Sequence, residues 1–107
     1  MDKNIDIKIA KYLDLIKKKF PEVENAYLFG SYVKGRSTDE SDIDIALVFR
    51  DLIDSKRFDI QVQLMLLAAQ IDSRIEPHPI SQDDFNSGNP FVMEIKKTGV
   101  EIGTNAI

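Results

Sequence analysis

Two aspartates two residues apart, Asp42 and Asp44, open an apolar run, and the pair Gly30-Ser31 closes an earlier one. Alternate residues of a strand share a face. The run D-I-D-I-A-L-V-F therefore puts Asp42 and Asp44 on one side with Ala46 and Val48, and Ile43, Ile45, Leu47 and Phe49 on the other. Two carboxylates held together repel, and loss of water sharpens the cost. A cation between them removes it, and Mg²⁺ favours a few carboxylates completed by phosphate oxygens and water. The same D-E-S-D-I-D stretch also reads as a solvated loop running into a strand. Gly30 lets a ligand approach the backbone because it carries no Cβ, and Ser31 adds a hydroxyl. A helix starting there would aim free N–H groups and its dipole at a phosphate. Gly-Ser is equally a common turn.

Further candidates surround this block. Lys34 and Arg36 follow the Gly-Ser pair, as phosphate-neutralising cations or as plain surface residues. His78 reads as structural or partner-facing rather than catalytic. The chain has no cysteine and a single histidine, which removes thiolate catalysis, cysteine-bound zinc and a multi-histidine metal centre within one chain. What survives is a hard cation on carboxylates.

These residues need elements to hold them. Ile5, Ile9, Leu13, Ile16 and Phe20 recur at helical spacing, so residues 4–19 form an amphipathic helix that Pro21 ends. Lys17-Lys18-Lys19 falls at its C-terminus, where the dipole favours cations. Residues 25–29 form a buried strand, 32–35 a turn of helix, 35–41 a loop and 42–49 the second strand. A helix covers 57–71, with Phe58, Val62, Leu66 and Ala69 on the buried face, widened by Ile60, Leu64, Leu67 and Ile71. Residues 74–76 form a short strand cut by Pro77 and Pro79, with Glu76 at its end. Ser81 caps a helical turn near 83–85. Asn89-Pro90 starts a helix that ends at Gly99, and 100–102 add an edge strand. The sum is one α/β domain over residues 1–107, a small mixed sheet flanked by helices. Composition agrees, with 43% hydrophobic and 30% charged residues. A net charge of −4 argues against a general nucleic-acid binder. The sequence contains neither a signal-peptide run nor a membrane span, so a cytoplasmic protein is expected.

The two halves of the chemical block together resemble the nucleotidyltransferase superfamily that includes polymerase-β-like enzymes. Gly30-Ser31 is followed by ten residues, Tyr32 to Ser41, and then by Asp42-Ile43-Asp44. The small size and the Lys34-Gly35 pair look like the minimal nucleotidyltransferases of bacteria and archaea. The resemblance implies that Gly30 and Ser31 hold the β- and γ-phosphates and that Asp42 and Asp44 bind metal. It implies a third carboxylate on a neighbouring strand, for which Glu76 is the best candidate, Asp72 its rival, and aspartate the commoner residue. It further implies two-metal Mg²⁺ chemistry: a nucleoside monophosphate, AMP from ATP in the preferred reading, moves to an acceptor hydroxyl. The acceptor it implies is a separate HEPN-domain toxin, with this chain as antitoxin. The alternative is a non-catalytic nucleotide-binding or antitoxin module of the same fold.

Overall fold

The computed structural model describes residues 3–35, 38 and 41–103. Helix α1 (Lys3–Lys19) buries Ile5, Ile9, Tyr12, Leu13 and Ile16, and carries Asp6 in its first turn and three lysines in its last. Strand β1 (Val23–Phe29) runs into a single 3₁₀ turn, Gly30–Tyr32. Strand β2 spans Ile43–Phe49, one residue shorter than expected, so Asp42 stands just outside it. A short 3₁₀ turn, Asp54–Lys56, leads into α2 (Arg57–Ile71), and β3 covers Ile75–Ser81. Then come α3 (Gln82–Phe85), α4 (Pro90–Thr98) and the two-residue β4 (Val100–Glu101). The Ser81 hydroxyl caps α3 by accepting from the Asp84 N–H, and the Asn89 side chain caps α4 by accepting from the Phe91 N–H.

The sheet has the order β3-β2-β1-β4, with β2 parallel to β3 and the other pairs antiparallel. Its central strand is buried on both faces. Ile43, Ile45, Leu47 and Phe49 pack into one core cluster with α1 and α2, and Ala46 and Val48 into another with Ile80, Phe85, Val92 and Ile95. This is the division that strand alternation required. The buried Tyr12 hydroxyl donates to the Leu64 carbonyl at 3.0 Å and ties α1 to α2.

Two expectations fail here. The third strand is not cut by its prolines; both lie inside β3. Ile43 N–H donates to the Arg74 carbonyl, which fixes the parity: the even-numbered residues of β3 face β2. The backbone nitrogens of Pro77 and Pro79 point away from β2, so neither proline removes a ladder hydrogen bond, and both side chains are buried. Their carbonyls instead accept from Gln61 Nε2 at 3.0 Å and Arg57 Nη1 at 3.2 Å. The second failure is the face of α2. Leu64 and Ala68 are buried, with Ile60, Leu67 and Ile71 packed around them, whereas Phe58 and Leu66 are 76% and 62% exposed. The expected inner face of Phe58, Val62, Leu66 and Ala69 points outward, because α2 is apolar almost all round and its periodicity does not choose a side.

Candidate nucleotide and metal site

Phe29 is fully extended, and the chain then reverses at Gly30 with φ +79°. That left-handed conformation favours glycine. The N–H groups of Val33 and Lys34 both donate to the Gly30 carbonyl at 3.2 Å. The N–H groups that lead the turn have no partner within it. The turn of helix expected at 32–35 is a 3₁₀ turn at Gly30–Tyr32, so any phosphate there would meet N–H groups and the Ser31 hydroxyl, with little helix dipole behind them.

Asp44 lies beside this turn. It stands in register with Phe29 of β1 on one side and with Glu76 of β3 on the other. A Cβ placed on Gly30 would fall 2.5 Å from Asp44 Oδ2. The other oxygen, Oδ1, lies 3.1 Å from His78 Nε2. The carboxylate is thus bracketed, one oxygen against the turn and one against the imidazole. His78 in turn sits among aromatic rings, 5.1 Å from Phe29 and 6.0 Å from Phe91 between centroids, with Phe29 and Phe91 edge-on at 5.6 Å. The reading of His78 as structural or partner-facing missed this contact. Because β3 continues through its prolines to Ser81, His78 shares the face of Glu76 two residues earlier, a relation hidden by ending the strand at Glu76.

The remaining candidates fall out as follows. Asp42 is exposed at the mouth of β2, on the side that alternation assigns to Asp44. Glu76 is half-buried beside Asp44 across the β2–β3 ladder. Asp72 is engaged elsewhere: it pairs with Lys8 at 2.9 Å and Arg74 at 2.8 Å, and only 9% of its side chain is exposed. The Arg74 guanidinium, with Lys8 behind it, holds the Asp72 carboxyl well below the usual carboxylate range. Arg74 also reaches the Tyr32 hydroxyl at 3.3 Å, so this knot braces the Gly30 turn. Lys34 lies 3.5 Å from Glu94 of α4. Arg36 falls outside the described residues.

Among the described residues, no three acidic or histidine side chains converge on one point. The donors present are nonetheless hard oxygens beside a turn suited to phosphate. This fits Mg²⁺, which is commonly held by one or two carboxylates, with phosphate and water completing its shell.

A mixed sheet that releases a Gly-Ser turn from one strand and carries Asp44 on the next, with Asp42 just before it, is the arrangement expected of a nucleotidyltransferase. The chain belongs to the polymerase beta nucleotidyltransferase family, which it matches over residues 5–105. It is 34% identical over 67 residues to the protein adenylyltransferase MntA of Shewanella oneidensis, a match covering 62% of this chain and 46% of that protein. The chain thus spans less than half the length of this curated relative. Among solved structures it resembles a toxin–antitoxin complex with AMP-PNP, with 27% identity, a TM-score of 0.60, and coverage of 92% of this chain and 73% of the other. It also resembles a mutant form of the MntA–HpeT toxin–antitoxin, with 26% identity, a TM-score of 0.63, and coverage of 88% and 70%.

Proposed function

We propose that this chain is a Mg²⁺-dependent protein adenylyltransferase, acting as one domain, in the cytoplasm, as antitoxin to a HEPN-domain toxin. The observation that carries the reading is the bracketing of Asp44 between the Gly30 turn and His78. The leading N–H groups of the turn, with the Ser31 hydroxyl, bind the β- and γ-phosphates of ATP. Asp42 and Asp44, with Glu76 alongside, hold magnesium. Bound there, magnesium supplies charge stabilisation for the phosphates and acidifies an acceptor hydroxyl. The acceptor oxygen attacks the α-phosphorus, the bond from that phosphorus to the bridging oxygen breaks, pyrophosphate leaves and the hydroxyl proton is released. The protein's part is to align the two ends and balance their charge. Lys34, together with Arg36 as the sequence suggests, neutralises phosphate charge. The adenylyltransferase name of the Shewanella relative and the AMP-PNP complex of a structural neighbour support the nucleotide. The toxin–antitoxin neighbours and the family resemblance support the partner.

The second reading, a non-catalytic nucleotide-binding antitoxin, has one observation in its favour: the carboxylates do not form a closed set of three among the described residues. Asp44→Asn separates the readings from a fold defect. The amide keeps an oxygen to accept from His78 but removes a charge from the metal site. Apo melting temperature should stay equal or rise, because carboxylate repulsion is relieved. Magnesium-dependent ATP binding and adenylate transfer to a HEPN protein should fall at least about tenfold. Wild-type protein that binds MgATP but transfers nothing selects the binding module. A clear drop in apo melting temperature with magnesium-dependent ATP binding and transfer unchanged makes Asp44 structural and ends its assignment as a metal ligand.

A further inference from the structure

We propose that the groove between α2 and the start of α4 seats the base of the nucleoside triphosphate against the rings of Phe91 and His78. This rests on the nucleotide-site reading and assigns that site a second half. The groove encloses about 300 Å³ and is lined by Arg57, Gln61, His78, Pro79, Asn89 and Phe91, among others. It shares one residue with the carboxylate site: His78 touches Asp44 at 3.1 Å and also forms the groove wall. The Gly30 turn lies against the opposite oxygen of Asp44. A triphosphate anchored at the turn therefore has its nucleoside end directed past Asp44 toward His78 and Phe91.

The chemistry of the walls selects a flat, uncharged ring. Phe91 is 47% exposed although it sits beside a polar site, and its ring is fixed edge-on against Phe29. An exposed, pre-positioned aromatic face next to a phosphate site can stack a base. Arg57 is the only full cation among the groove's lining residues, and it is already engaged with Asp54 at 3.3 Å, Asp84 at 3.5 Å and the Pro79 carbonyl at 3.2 Å. The groove is therefore a poor second phosphate site. Gln61 and Asn89 each use one carboxamide atom inside the fold, toward Pro77 and Phe91. Their other amide atoms supply a donor and an acceptor of the kind a base edge requires.

The test compares two probes on the full chain with magnesium present: ATP, and inorganic tripolyphosphate, which carries the phosphates without the base. Phe91→Ala should weaken ATP binding roughly tenfold, the scale of one lost base–aromatic stack, and leave tripolyphosphate binding unchanged. Phe91→Tyr should restore ATP binding. In wild-type protein, nuclear Overhauser contacts should join the adenine ring protons to the Phe91 ring, a readout that needs no variant to fold. Unchanged ATP binding in Phe91→Ala, equal weakening of both probes, or an effect confined to the KM for the protein acceptor would each overturn the proposal. Wild-type protein that binds neither probe would overturn the nucleotide site itself, and this assignment with it.

Discussion

Gly30 meets two requirements that no other residue satisfies together: a left-handed backbone and the absence of a Cβ facing Asp44 Oδ2. Gly30→Ala should cost about 1–2 kcal/mol from the backbone alone and should also push the carboxylate off its place. A double-mutant cycle separates the two effects. Adding Asp44→Ala to Gly30→Ala should return the steric part of the loss and leave the backbone part, as read by thermal melts of the four proteins. Strictly additive losses would show that the turn and the carboxylate are not in contact. At this scale the sequence was legible where a spacing carried the information. Gly30, Ser31, Asp42 and Asp44 stood out because a turn and an alternation are both local. The Asp44–His78 contact was not singled out, since it depends on which strand lies beside β2 and in what register. The placement of Glu76 and Asp72 also needed three dimensions: Glu76 stands beside Asp44 across the ladder, and Asp72 is tied to Lys8 of the first helix, 64 residues away in sequence.

The elements show the same division. Residues 57–71 were expected as a helix and are one, because length, apolar content and helix-forming residues agree. Its inward face was misread because nearly every position can be buried. Leu64 and Leu66 separate the two faces, one fully buried and one 62% exposed. Leu64→Ala should cost about 2–4 kcal/mol, and Leu66→Ala under about 0.5 kcal/mol, by denaturant unfolding. Similar losses at the two sites would restore the face expected from sequence. The third strand was cut short by a rule applied without parity. Proline excludes a residue from a ladder only when its N–H would point along that ladder. At Pro77 and Pro79 it does not.

At the scale of the whole molecule, Asp72 is the most buried carboxylate among the ion pairs of the described residues. Its partners come from α1 and from the turn before β3, and Arg74 carries the bracing on to Tyr32. The folded pKa of Asp72 is depressed, so the unfolded chain binds its proton first. The stabilisation is therefore complete above the unfolded carboxylate value of about 3.9 and is lost as pH falls toward the strongly acidic folded value. Asp72→Asn should cost about 1–3 kcal/mol at pH 7, and the gap in melting temperature from wild type should close as the pH is lowered below about 4. A gap that stays constant across that range would show that Asp72 acts through shape and not charge. The prolines of β3, whose nitrogens point away from β2, bear on the molecule at the same scale. On that side the sheet offers no N–H at Pro77 or Pro79, and its carbonyls there are already capped by Gln61 and Arg57. On the other side β4 contributes only two residues. Among the described residues, neither margin offers an incoming strand a long run of free ladder groups. Edge-to-edge pairing with another chain is therefore disfavoured at both margins.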